Sequence, residues 1–370
     1  MKTATRWMLG TLGVAGLVAL PLAGAWLTGH PLSQYTEFPP LTRYVEHAGF
    51  SLPVFVLFSL GALALFIPML RVLRRVWTTR PARPPVARFP AWGWAGVAWT
   101  AAAWVLAWTR FEWAAPFQSF TFTPLWLGYI VIVNALAYRC RGECMMTGQP
   151  RYFLVLFPVS AAFWWYFEYL NRFVQNWYYV GVTDITPAQY VWMATLPFST
   201  VLPAVLGTYD WLDASLGPLP GAEIQPASLA GGVRRKVCAV LLLAASALGL
   251  AFLAVRPDVL FPLLWLSPIF LLSALRLLGG RPPLDVEPGN SLPRRVALLA
   301  AAALICGFFW ELWNEHSLAR WIYAVPYVNR FHLFEMPILG YAGYLPFGLE
   351  CALVGDAVRR RYRRTKEGGA

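Results

Sequence analysis

The chain has 370 residues, of which 58% are hydrophobic and only 13% charged, with a net charge of +12. That charged fraction is about half the usual ~25% of soluble domains, too little to cover a water-soluble fold, so a soluble enzyme is excluded. A nucleic-acid partner is excluded too if the positive residues sort to one side of a bilayer, and they do so below.

Segments of about 20 mostly apolar residues, the length needed to cross a bilayer, recur along the whole chain. They lie near 8–28, 51–70, 91–109, 123–139, 152–170, 190–208, 237–255, 259–278, 296–313 and 336–357. The first is longer than the apolar stretch of a signal peptide and is expected to be a retained helix. The fold class expected is therefore all-α: a polytopic integral membrane protein of about ten transmembrane helices. With the N-terminus inside, 24 of the 30 Lys and Arg residues fall on the inner side. The six outer ones are Arg43, Arg110, Arg172, Arg256, Arg320 and Arg330. This follows the positive-inside rule, and it places both termini in the cytoplasm of a cell with this protein in its inner membrane. The Arg-rich tail is expected to meet anionic lipid. The five cysteines all fall in spans or inner segments, which argues against a disulfide framework.

An internal repeat runs through the chain. Trp126-Leu127-Gly128-Tyr129-Ile130 matches Trp265-Leu266-Ser267-Pro268-Ile269 at an offset of 139 residues. Arg110-Phe111-Glu112 matches Arg256-Pro257-Asp258, and Phe167-Glu168-Tyr169-Leu170-Asn171 matches Trp310-Glu311-Leu312-Trp313-Asn314. Trp177-Tyr178-Tyr179 then matches Trp321-Ile322-Tyr323. Four markers in one order predict two tandem, parallel four-helix units over 91–210 and 237–357. Two extra helices over 1–70 precede them, joined by an Arg/Pro-rich inner linker at 71–90. A cytosolic loop at 211–236 separates the units and a basic tail at 358–370 ends the chain. Pro197, Pro203, Pro337 and Pro346 predict a kink in the last helix of each unit.

The sharpest chemical signal is the E-x-x-N pair, Glu168 with Asn171 and Glu311 with Asn314, each on one helix face one turn apart. Ionisable residues inside membrane helices face a protein interior or a wet cavity. Two such carboxylates in one cleft can divide the roles of proton donor and base. His316, His332 and Glu335 lie in the outer loop after the ninth span as further acid–base candidates. Trp165, Trp177, Trp310, Trp313, Trp321 and Tyr323 are expected to wall a site for an apolar substrate. Equally, these residues can be read as helix-joining bonds and an interfacial aromatic belt. Glu350, inside the tenth span, is expected to pair with Arg276.

No glycine-rich phosphate loop, G-x-S-x-G or H-E-x-x-H motif is present, and no histidine lies inside a span. No metal ligand set and no cofactor is assigned. Paired acidic groups in aromatic-rich helices are similar in chemistry, though not in motif, to membrane-integral isoprenoid cyclases, and no residue is carried over from them. The expectation is an outer-face acidic and aromatic site doing acid–base chemistry on a lipid-like or isoprenoid-like substrate, with membrane lipid and a small apolar ligand as partners. A transporter or quinone-interacting subunit and a structural or assembly factor are the alternatives.

Overall fold

A computed structural model describes residues 3–80, 85–183, 185–217, 232–286 and 290–367. Asp184, Arg83, residues 218–231 of the loop between the units, and the side chains of Lys2, Arg6, Arg363, Arg364 and Lys366 lie outside the described residues.

The chain is helical almost throughout. The helices are α1 (Thr3–Leu27), α2 (Leu32–Thr36), α3 (Leu52–Thr79), α4 (Ala91–Trp108), α5 (Phe122–Arg141), α6 (Met145–Gly148), α7 (Pro150–Val174), α8 (Pro187–Phe198) and α9 (Val201–Leu216). They continue with α10 (Gly232–Ala251), α11 (Pro257–Leu260), α12 (Pro262–Leu278), α13 (Leu292–Glu315) and α14 (Tyr344–Glu367). Four short strands, β1 (Trp177–Val180), β2 (Arg320–Tyr323), β3 (His332–Leu333) and β4 (Met336–Pro337), form two antiparallel pairs.

Local chemistry sets the helix starts. Thr186 accepts a bond from the Gln189 amide while the Gln189 side chain accepts from the Thr186 amide, a reciprocal box that opens α8. Ser291 accepts from the Arg294 amide and opens α13, whose next turns are almost pure Ala and Leu.

Helices occupy each of the ten expected positions, but the count of spans is smaller than ten. Among the described residues five segments are long and apolar enough to cross a membrane: Leu52–Thr79, Pro150–Val174, Pro187–Leu216, Leu292–Glu315 and Ile338–Tyr362. The 3-10 turn Glu112–Phe120 followed by α5 makes a sixth if a bend of 68° is accepted within one span. The rest fall short for identifiable reasons. The 18 residues of α4 include five tryptophans among alanines and glycines, α10 starts on Arg234-Arg235-Lys236, and α12 has only 17 residues.

The helices form one interlocked bundle. In it α4 packs on α5 and α10 on α12, while α9 packs on α5, α7 and α13. A single apolar core runs through both halves, from Leu125, Leu156 and Phe167 to Leu250, Leu264 and Phe347. Around it, α3 stays almost wholly exposed along its apolar length, as a lipid-facing helix would.

The break between α8 and α9 falls after Pro197. Here the Ser160 hydroxyl of α7 is inserted into the helix, accepting from the Leu202 amide at 3.0 Å and donating to the Phe198 carbonyl at 2.6 Å. A kink in an apolar setting must leave no backbone group unpaired, and one buried hydroxyl meets that demand at both ends. The second expected kink is realised as a 3-10 turn, Ile338–Gly343, leading into α14.

Residues 30–51 form a strap across one end of the bundle, at the C-terminal end of α7. Gln175 ends α7 in the left-handed conformation (φ 47°) and its side chain grips the strap. Its amide oxygen accepts from the Tyr44 and Val45 amides at 2.8 and 2.9 Å, and its nitrogen donates to the Thr42 carbonyl at 2.9 Å. Further along, Asp258 accepts from the Ala48 amide and bonds the His47 ring at 2.6 Å. Arg172 donates to the Gln34 carbonyl and to Glu37. The Thr42 hydroxyl and amide, with help from Arg172, hold the Glu37 carboxyl below its ordinary value. A carboxyl lowered in this way contributes above its unfolded value and loses that contribution as pH falls through the folded one.

Two outcomes test these joints. Ser160→Ala leaves a buried amide and a buried carbonyl unpaired and is expected to cost about 1–3 kcal/mol, read as a lower thermal midpoint in detergent. Gln175→Ala removes three strap bonds, so hydrogen exchange in peptides covering 42–48 is expected to rise at least about tenfold, one decade per ~1.4 kcal/mol. Unchanged exchange there would refute the grip.

Candidate functional site

Both glutamates of the repeated motif are buried, and each is held by neutral donors. One oxygen of Glu168 accepts from the Trp164 indole at 3.2 Å, the Trp177 indole at 3.0 Å and the Tyr179 hydroxyl at 2.5 Å. One oxygen of Glu311 accepts from the Tyr323 and Tyr344 hydroxyls, both at 2.8 Å. The Trp321 indole donates in turn to the Tyr323 oxygen at 2.9 Å. The second oxygen of Glu311 is enclosed without a partner among the described residues.

Among the described residues no arginine bonds Glu168 or Glu311. Arg172 turns to the strap, Arg320 to Glu335 at 3.5 Å, and Arg110 to Gln118 and the His316 carbonyl. Glu350 does not pair with Arg276. That arginine binds Asp285 at 2.5 Å, leaving both Glu350 oxygens buried and unpartnered among the described residues. Asp285 also takes Arg360, tying the inner ends of α12 and α14. Burial raises its carboxyl, but the two arginines outweigh that and keep it below the ordinary value.

The asparagines do not touch the glutamates. The Asn171 side chain donates to the Trp177 carbonyl at 2.8 Å and accepts from its amide at 3.4 Å. The Asn314 side chain makes the same two bonds to Trp321, at 2.8 and 2.9 Å. Each asparagine thus pins the start of the strand that follows its helix. Residues two apart on a strand point to one side. The strand therefore returns Trp177 and Tyr179 to Glu168, and Tyr323, backed by Trp321, to Glu311.

The two strands pair antiparallel, Trp177 with Tyr323, Tyr178 with Ile322 and Tyr179 with Trp321. Exchanging the strands maps Trp177 onto Trp321 and Tyr179 onto Tyr323, so a local two-fold axis passes through the Tyr178–Ile322 pair. Gly181 (φ 86°) lets the end of β1 pass the Leu318 carbonyl, which a Cβ there would strike. The two sets of donors differ twice: the Trp177 indole reaches Glu168 itself while the Trp321 indole stops at Tyr323, and Trp164 on one side is replaced by Tyr344 on the other. Trp164 lies one turn before Glu168, and the residue one turn before Glu311 is Gly307. A Cβ on Gly307 would sit 2.3 Å from the Tyr344 ring. The missing side chain gives Tyr344 its place on Glu311.

Rings join the two glutamates. Trp164 lies 6.2 Å from Trp310, which stacks on Tyr344 at 5.9 Å. Trp265 stacks on Phe167 at 5.1 Å and leans on Trp177, and Phe347 meets both Trp164 and Trp310. Of the expected wall, Trp177, Trp310, Trp321 and Tyr323 belong to this cluster. Trp313 is fully buried against Trp126 and Tyr129. Trp165 turns to α8, donating to Thr195 at 3.0 Å and packing on Tyr190 and Phe198. The loop histidines stand apart. His316 is exposed against the edge of Trp108, and His332 is exposed and bonded to Asn329. Glu335 is held by Arg320. Among the described residues no three His, Cys, Asp or Glu side chains are placed to share a metal ion.

Sequence reasoning missed Tyr179, Tyr344, Trp265 and Phe347. A signal for the first existed: the W-x-Y pattern of Trp177-Tyr178-Tyr179 recurs in Trp321-Ile322-Tyr323, and strand alternation puts its ends on one side.

Apolar helices, aromatic clusters and carboxylates enclosed among helices define an α-helical membrane protein. No family, no curated protein and no solved structure matches the chain.

Asn171→Ala and Asn314→Ala each remove two bonds to a strand backbone. Each is expected to cost about 1–3 kcal/mol by thermal unfolding, with similar values for the two. A loss confined to one of them would deny the equivalence of the halves.

Proposed function

We propose that the protein is an inner-membrane acid–base enzyme acting on a lipid-like or isoprenoid-like substrate at the outer leaflet. The single observation behind this is the free oxygen of Glu311: buried, without a partner, on a carboxyl whose other oxygen two phenols hold in place. A carboxyl with one anchored and one open oxygen in an apolar, aromatic wall is equipped to give or take a proton. The π faces of Trp164, Trp310 and Trp265 suit an apolar chain or a developing cation. Burial holds the Tyr323 phenol well above its ordinary value, and Glu311 adds to this, so Tyr323 stays a donor across neutral pH.

On this reading the two halves arose by duplication, with Glu168 and Glu311 as equivalent positions. The matching asparagine bonds and the two-fold strand register support it. The helices that fall short of a span by themselves cross within the bundle, covered by their neighbours, and both termini lie in the cytoplasm. A second reading, a transporter, draws support from Glu350, whose two unpartnered oxygens offer a lower station for a proton.

Mass spectrometry of molecules that co-purify with the protein is expected to find an apolar ligand that Glu311→Gln retains and does not convert. The isostere keeps the shape and cannot cycle a proton. Conversion undiminished in both Glu311→Gln and Glu168→Gln ends the enzymatic reading. Conversion lost in Glu350→Gln together with proton flux moves the assignment to transport. Reporter fusions at Ala370 and near His47 are expected on opposite sides of the membrane; the same side for both refutes the topology.

A further inference from the structure

We infer a binding site for the phosphate of an anionic phospholipid at the inner end of α4, distinct from the outer-face carboxylates. An open cleft lies there between the segment entering α4 and the end of α5, lined by Val86, Arg88, Phe89, Trp94 and Arg139 among others. Arg88 and Arg139 are exposed, and neither side chain has an acidic partner among the described residues. Two uncompensated guanidinium groups facing one cleft recognise a doubly hydrogen-bonding anion such as a phosphate.

Three further features act in the same direction. Helix α4 starts beside the cleft with Pro90 at its cap, which supplies no side-chain bond to the first turn. The Gly93 amide is taken by the Pro90 carbonyl, while the Ala91 and Trp92 amides and the positive end of the dipole remain available to an anion among the described residues. The opposing negative end of α5 is closed within the protein, because Gly142 donates to the Tyr138 carbonyl and Ala87 to the Arg139 carbonyl. The rim is apolar: Trp94 is 63% exposed, with Phe89 edge-on against it at 5.2 Å. Exposed tryptophan is favoured where headgroups meet acyl chains. A free phosphate would use the arginines and leave that rim idle, whereas a phospholipid uses both. Basic clefts between helices on the cytoplasmic side are sites of this kind.

The inference rests on the inner placement of Arg88 and Arg139 in the proposed topology. Native mass spectrometry of the full chain, loaded with phosphatidylglycerol or with phosphatidylcholine, tests it. We expect phosphatidylglycerol to be retained at least about tenfold better, a ratio that corresponds to ~1.4 kcal/mol. The preference should vanish in the Arg88→Gln/Arg139→Gln pair and persist in the Arg88→Lys/Arg139→Lys pair. Equal retention of the two lipids by the native chain overturns the site, as does a preference that survives the Gln pair. Inorganic phosphate that raises the thermal midpoint as much as phosphatidylglycerol does would reassign the site to a soluble anion and overturn the lipid. If the Gln pair does not accumulate, photoactivatable phosphatidylglycerol decides on the native chain: cross-links in the 85–94 peptide uphold the proposal and their absence there refutes it. Retention of neither lipid overturns the site as well, whereas a failure of the topology it rests on is read separately, from the reporter fusions at Ala370 and near His47.

Discussion

Two carboxyl groups kept from water by indoles and phenols are the constraint on which this end of the bundle is built. A charge buried without partners costs several kcal/mol or more. Hydrogen bonds to a charged group return roughly 1.5–3 kcal/mol each. Glu168 and Glu311 receive such bonds from side chains distant along the backbone, so the chain must be brought back to them. The asparagine one turn on does this by fixing the first residue of β1 or the second residue of β2. Strand alternation then delivers the donors, and pairing of the strands locks one half to the other. A four-residue strand has little stability alone; here each is fastened by an asparagine, paired to its counterpart, and capped by the strap that Gln175 holds.

Much of this was legible in the residues. The positions of the helices follow from runs of apolar residues, and the prolines marked both breaks. The E-x-x-N and W-x-Y patterns marked the two sets of groups that come together. What stayed hidden depended on direction in space. Nothing in the spacing of Glu168 and Asn171 tells that one faces inward to a ring cluster while the other reaches up to a backbone. Arg172 and Arg320 follow the motifs in sequence, yet the helix ends point them to Glu37 and Glu335. Hydrophobicity read in windows marks ten apolar runs, of which five or six among the described residues are long and apolar enough to cross by themselves; in α4 the tryptophans lower the hydropathy while Gly93 and Gly96 let α5 approach closely.

Residues 1–70 pack on the rest of the bundle, α1 against α10 and α3 against α13. The strap carries His47 to Asp258 and Tyr44 to the end of α7, bridging the two halves from outside. The histidines that clustered on the outer side therefore divide. His47 joins elements far apart in sequence, whereas His316 and His332 lie exposed at loop ends. A count of titratable groups per face could not separate these cases, because the difference lies in which partners the fold supplies.

The departure from two-fold symmetry carries the functional argument. A perfectly repeated site would give both glutamates the same three donors. Instead Trp164 crowds Glu168 from its own helix, while Gly307 clears the matching place so that Tyr344 reaches Glu311 from α14. Glu168 is thereby tied by donors from α7 and β1 alone. Glu311 is tied to the start of the last helix, which also carries Glu350 further along. Glu311 thus joins a carboxyl with one unpartnered oxygen among the described residues to a helix that starts on a 3-10 turn. Gly307 stands where Trp164 stands before Glu168, and the space it leaves is what brings the Tyr344 hydroxyl onto Glu311.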